Sequence, residues 1–485
     1  MAKFNCWRVV LPGSVGGVLL FLLSGCGVLP ERSNVASLRP PIVDRANPAP
    51  LEARVESPPT RGAIAMAPGS LRAYRLHAAE HHPGLRAFYY EWQAQTQRAP
   101  QVRALPEPRF TYSEYLRSVE TRAGPQERSF ALSQSFPWFG TLRLKGSIEE
   151  KKAAALWQRF RAHQLALDHR VRTTYADYFY LGRSVAVTRD NLDLLSRLER
   201  VAREKFAAGG ENHPDVIRLQ VEIGGVEDRL ESLLDMRKPL EARFNALMNQ
   251  ARETPLPWPD SLPEASGRPD EEEISRWVRE HNPELAALQH EIEAAELRRD
   301  LAAKESFPDF SLGVQTISTG SAIAPNTRDS GEDPWMVSVS VEIPLWVSKY
   351  RAAEREAKAG WQAARARRTE VSNRVVADVE LALYQIRDAE RRIELYGRRL
   401  VRKAQEALAS TEASFQADLS SFTDLIDAER VLLEFQLSLE KARADRLRGE
   451  ADLDRQLGRY VVPPGDVPRE DASSYDAPRD REETR

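Results

Sequence analysis

The residues able to do chemistry are few. HAAEHH (77–82) sets His77 and His81 one helical turn apart, a spacing that suits two ligands of one metal. It is not HExxH and brings no third ligand, so a solvated helix surface is the plainer reading. GTLRLKGS (140–147) has the outline of a phosphate loop. Its second Gly lies one place too far on, and no Lys follows it. No nucleophile elbow and no CxxC is present. The chain therefore reads as a non-enzyme with no catalytic residue, metal or cofactor. The denser signal is acidic. Asp215 lies in AAGGENHPDV (207–216), and Asp418, Asp424 and Asp427 crowd together from 418 to 427. Asp215 and Asp424 fall where a helix begins, which suits N-capping. If several copies converge, Asp418, Asp424 and Asp427 form carboxylate rings that favour cations, a candidate gate.

Whatever positions these acids must be long. From about Thr141 to Ala208, and again from about Lys349 to Ala417, no proline interrupts a helical pattern; only single glycines do. Each stretch spans roughly 100 Å at 1.5 Å per residue. That exceeds ordinary globular helices and predicts a coiled coil or helical barrel. Each then turns, at 207–216 and 417–426, and returns.

Strands interrupt the helical text. In WMVSVSVEIPLW (335–346), Val337, Val339, Val341 and Ile343 share one parity, and Ser338, Ser340 and Glu342 share the other. That is a strand with one apolar face and one wet face. DFSLGVQTIS (309–318) and SFALSQSF (129–136) alternate likewise, while PRFTYSEYL (108–116) is less regular. Pro137 and Pro344 mark the change from strand to helix, where a lost N–H and a fixed φ suit a sharp turn.

The chain also repeats itself. HHP, LPEPRF and SQSFPWFG recur in order as HNP, SFPDFSL and SVEIPLW. Pro83 and Pro108 reappear 200 residues on, as Pro283 and Pro308. An order-preserving repeat predicts a duplicated unit of helix, two strands and helical hairpin. The expected organisation is a signal (1–25), a Pro-rich tether (26–70), a first repeat (71–253), a Pro-rich connector (254–270), a second repeat (271–460) and a Pro-rich charged tail (461–485), read as disordered.

The first segment carries basic residues, an apolar run and then LSGC ending at Cys26, an export signal with the look of a bacterial lipobox. Cys6 would leave with the signal, so the mature chain keeps Cys26 for lipidation and forms no disulfide. The alternative is an ordinary signal with a chance cysteine. Gly27, rather than Asp, favours the outer membrane. The 69 basic and 72 acidic residues give a net charge of −3, with no pull toward nucleic acid.

Four strands cannot close a barrel in lipid, and an open edge there leaves backbone groups unpaired. Several chains sharing one barrel is one solution. A periplasmic sandwich, with the apolar face packed on helices, is the other.

The HHP and HNP helix starts, the strand entries, SQSFPWFG with SVEIPLW, and the hairpin turns together resemble the TolC family of outer-membrane efflux proteins. The lipoprotein branch of OprM-like and CusC-like channels is the most similar. The family's turn pattern is Gly, five residues, Asp and an aliphatic. Gly209 with Asp215-Val216 fits it. In the second turn Leu419 and Asp424-Leu425 fit, but Asp418 stands where Gly is usual. The resemblance spans about residues 70–460. It implies a mainly α fold with a membrane β-barrel, in which a homotrimer builds one 12-stranded barrel and an α-helical periplasmic tunnel. It implies Val337, Val339, Val341 and Ile343 facing lipid, and Ser338, Ser340 and Glu342 facing the pore. Gly209, Asp215, Val216, Leu419, Asp424 and Leu425 would contact a membrane-fusion adaptor beneath an inner-membrane RND or ABC pump. The chain would be an outer-membrane exit duct for tripartite efflux or type I secretion. No Met-rich cluster marks a soft-metal path, and the exported substrate is not legible. The competing reading is a lipid-anchored periplasmic coiled-coil scaffold without a pore.

Overall fold

The computed structural model describes residues 70–207, 213–264, 271–417 and 419–459. The signal segment, Cys26, most of the tether, the end of the connector and the tail lie outside the described residues, as do Gly209 and Asp418.

The first repeat opens with helices α1 (Leu71–His81), α2 (Pro83–Thr96) and α3 (Arg98–Arg103). Strands β1 (Arg109–Thr121) and β2 (Gly124–Phe136) follow, then α4 (Thr141–Ala207) and the returning α5 (His213–Leu247). The second repeat runs α6 (Glu271–His281), α7 (Pro283–Lys304), β3 (Asp309–Thr319), β4 (Trp335–Glu342), α8 (Val347–Leu395), a π turn (Tyr396–Leu400), α9 (Val401–Gln416) and α10 (Phe422–Leu457). The duplicated helix–strand–strand–hairpin plan is present in the same order twice.

Proline sets the matching helix starts. Pro83 and Pro283 both occupy the first turn, where the missing N–H would be unsatisfied anyway. Asn282 caps α7, accepting from the N–H groups of Glu284 and Leu285 at 3.0 Å each. His82 makes no such bond at α2.

Two boundaries depart from the sequence reading. The strands of the first repeat are longer than expected, because β1 continues past a register shift between Glu114 and Val119. Such an irregularity breaks the two-residue period and hides a strand from pattern reading. The helix expected to run unbroken from Lys349 to Ala417 is divided by the π turn at Tyr396–Leu400. A π turn adds a residue to one turn and rotates the side chains beyond it. Here Tyr396 packs on Phe435, with ring centroids 5.6 Å apart.

The repeats are held together along α4 and α10, which run antiparallel. His169 meets Asp452 at 2.6 Å, Arg172 meets Asp454 at 2.6 Å, Arg448 meets Asp177 at 2.5 Å and Arg183 meets Glu440 at 3.2 Å. Arg172 is almost fully buried, and removing one partner of such a pair costs on the order of 3–5 kcal/mol. The first part of the connector, 254–264, docks on this frame. Tyr178 donates its hydroxyl to the Leu256 carbonyl at 2.9 Å and stacks on Trp258 at 4.6 Å. Tyr175 donates to the Ser261 carbonyl at 3.1 Å, and burial pushes its phenol up to about 12.

Candidate channel wall and hairpin tips

The four strands form one antiparallel sheet in the order β1-β2-β3-β4, with β2 and β3 joining the two repeats. Register decides what each face presents, because directly opposed residues point the same way. Phe110 opposes Leu132, Leu132 opposes Val314, and Val314 opposes Val337. One row below, Leu312 opposes Val339, and Phe136, Phe310 and Val341 align. The apolar parities of all four strands therefore meet on one face. Val337, Val339, Val341, Leu132 and Phe110 are exposed, so no helix among the described residues covers it.

The other face is small and polar. Ser133, Gly313 and Ser338 line up across three strands, and so do Ser135, Ser311 and Ser340. Ser135 Oγ and Ser311 Oγ lie 3.0 Å apart, and Asp309 opposes Glu342. Ile343, expected on the lipid-facing row, lies just past the end of β4. It is exposed and precedes Pro344, which has no N–H to extend the ladder.

At the opposite end of the helices, the two hairpins share an apolar core. α4 supplies Leu195, Leu198 and Ala202, and α5 supplies Val216, Leu219 and Val226. α9 adds Ala404, Leu408 and Phe415, while α10 adds Phe422, Leu425, Ile426 and Leu432. Phe415 and Phe422 pack edge to face at 6.0 Å across the second turn. Val216 and Leu425, expected to touch a partner, are buried in this core. The period-3.6 face that carries them points inward. Leu419 is 82% exposed.

Asp424 is not the N-cap that the sequence suggested. Ser421 is the cap, and Asp424 is the third helical residue of a capping box. The Ser421 N–H donates to Asp424 Oδ2 at 3.0 Å, and the Asp424 N–H donates to Ser421 Oγ at 3.2 Å. The bonds from Ser421 hold the Asp424 carboxyl below the usual range. The turn before it closes through the Leu419 N–H, which donates to the Ser414 carbonyl at 2.8 Å, a bond typical of helix C-termini. Asp427 is exposed and faces Arg430 at 3.8 Å. Asp215 lies in the first turn of α5.

Sequence reasoning missed two polar features. Glu222 on α5 holds Arg430 of α10, tying one hairpin to the other at 3.0 and 2.5 Å. Glu429 lies fully buried against Asn191. Each pair is more than 200 residues apart in sequence, so no local spacing signals it.

The histidine pair is packed ring on ring. The rings of His77 and His81 stack at 4.1 Å, and burial, then the His81 charge, lowers His77 to about 4. Among the described residues no cluster of three or more His, Cys, Asp or Glu has the geometry to hold a metal, and no helix is long and apolar enough to cross a membrane.

Residues 275–459 match the family model described as outer membrane efflux protein. The match covers the second repeat; the first shares its order of elements. No curated protein matches the chain. Solved structures do. CusC, studied for conformational changes accompanying folding and transmembrane channel formation, superposes with a TM-score of 0.70 at 17% identity, covering 80% of this chain and 91% of its own. VceC, an outer membrane protein of Vibrio cholerae, gives 0.67 at 18% identity, covering 80% and 96%. The MtrE outer membrane channel of Neisseria gonorrhoeae, in its open state, gives 0.65 at 18% identity, covering 80% and 88%. The fold is that of the TolC-like outer-membrane channels.

Proposed function

We propose that this chain is an outer-membrane exit duct of a tripartite efflux or type I secretion system, working as a homotrimer. The observation that carries the proposal is the sheet. Its apolar rows coincide across all four strands and stay uncovered, while its opposite face is a serine-rich surface suited to water. Among the described residues the outer edges of β1 and β4 are unpaired. In lipid those edges require partners. Three copies pairing β4 to β1 make 12 strands, within the range that leaves a wet lumen. A scaffold without a pore needs neither an uncovered apolar sheet face nor matched small residues behind it.

The helical hairpins would then carry the duct through the periplasm to an adaptor and its inner-membrane pump. Leu419 and Asp424 lie exposed at the tip and are the better contacts. Val216 and Leu425 support them from within the core. Cys26 would anchor the chain to the outer membrane by its lipid. Asp427, with Asp424 beside it, would form an acidic ring at the narrow end of the trimer.

The test separates the two faces. The native complex, extracted from purified outer membranes in mild detergent, should have the mass of a trimer and conduct in planar bilayers. Ser338→Arg should assemble and alter conductance and ion preference. Val339→Arg should destabilise insertion by about 2–4 kcal/mol near mid-membrane. Equal behaviour of the two variants, or a monomer released without detergent, would overturn the reading. Asp424→Asn with Asp427→Asn should reduce cation preference; an unchanged reversal potential removes the acidic ring.

A further inference from the structure

Glu429 on α10 is fully buried beside the apolar core of the hairpin ends. Its Oε1 accepts from Asn191 Nδ2 on α4. Among the described residues its Oε2 has no partner, and neither does Asn191 Oδ1. With an ionised Glu429, both atoms are buried acceptors with nothing to accept, and each keeps its full desolvation penalty. A proton on Oε2 supplies the donor that Asn191 Oδ1 lacks.

The surroundings favour that proton. α4 presents a neutral amide. α5 presents Glu222, whose charge opposes a second carboxylate. α10 itself carries Arg430, but both oxygens of Glu222 hold that guanidinium. α9 brings Ala404, Leu408 and Phe415 to this core, none of them titratable. Burial, the largest effect, drives the Glu429 carboxyl above its ordinary range, although the Asn191 bond and the Arg430 charge oppose the shift.

We infer that Glu429 is held as the neutral acid, donating from Oε2 to Asn191 Oδ1 while Asn191 Nδ2 donates to Oε1, and that this acid–amide pair is a proton-dependent latch between α4 and α10. The proton comes from solvent and returns to it when the latch opens. A group whose folded pKa is raised stabilises fully below its unfolded pKa. That stability is lost as pH climbs from the ordinary carboxylate range to the folded value. Across this window the folded end retains one proton that the opened end releases, so opening increases about tenfold per pH unit.

The experiment is amide hydrogen exchange of the full-length protein over a pH series, corrected for intrinsic rates and read in the segments around Asn191 and Glu429. Wild type should show opening that increases with pH. Glu429→Gln, neutral at every pH and able to form the same two bonds, should flatten that profile. Difference infrared spectra over the same pH series should show a protonated-carboxyl C=O band that persists above the ordinary carboxylate range and that Glu429→Gln lacks. A variant as pH-sensitive as wild type, or no such band, overturns the inference. If the variant misfolds, the wild-type series decides alone, because flat exchange removes the latch. No readout requires a pore, so the channel proposal can fail while this one stands.

Discussion

The two repeats follow one plan with different local devices. In the first, the β1–β2 hairpin turns tightly at Gly124, with φ +135°. A Cβ there would sit 1.7 Å from the Gly320 carbonyl oxygen. In the second, β3 and β4 are joined by a long loop in which Gly331 also has positive φ, but a Cβ there would make only ordinary van der Waals contact, 3.9 Å from Ser321 Cα. The first short helix pair breaks at an uncapped His82, and the second at the fully engaged Asn282. α4 runs 67 residues as unbroken α-helix, while its counterpart changes to a π turn at Tyr396. Duplication preserved the order of elements and the Pro positions. It did not preserve the bonds that secure each joint. The joints can be tested separately.

Three comparisons, in order of expected effect, sharpen this contrast. Gly124→Ala should be the most damaging. The positive φ alone costs about 1–3 kcal/mol, and the collision with Gly320 adds to it. Gly331→Ala should cost only the φ term. Thermal melts followed in the β signal measure the difference, and equal losses would mean that Gly320 yields easily. Asn282→Ala should cost about 0.5–2 kcal/mol through the lost cap, with an added loss from its bond to the Gln456 carbonyl at 2.8 Å. His82→Ala should cost a few tenths of a kcal/mol, and urea unfolding of both variants tests the asymmetry. Arg374→Ala should change stability little. Its pair with Glu284 is half exposed on both sides, and such pairs contribute about 0–1 kcal/mol. A larger loss would show that α7 and α8 depend on that contact.

Much of this is legible in the sequence. Val337, Val339 and Val341 announce a one-faced strand because side chains alternate with a period of two whatever the strand packs against. Pro83 and Pro283 announce helix starts because the missing N–H is a property of the residue itself. The tips were legible only as turns. Val216 and Leu425 read as contact residues, and they are core, because a helix's exposed face depends on which neighbours surround it. Asp424 read as a cap, and it is the third helical residue, because a boundary shifted by three residues leaves the composition unchanged.

The sequence by itself determined the duplication, the strand alternation, the length of α4 and the places where helices begin. Each of these is written in periods of two to four residues or in the repeated order of short motifs. Tertiary structure decided the rest. Register between β2 and β3 put four apolar rows on one face, and it depends on pairing residues about 180 positions apart. The π turn set the phase of α9 against α10. The meeting of Glu429 with Asn191, and of Arg430 with Glu222, depends on how helices cross and rotate, and no local pattern encodes that angle.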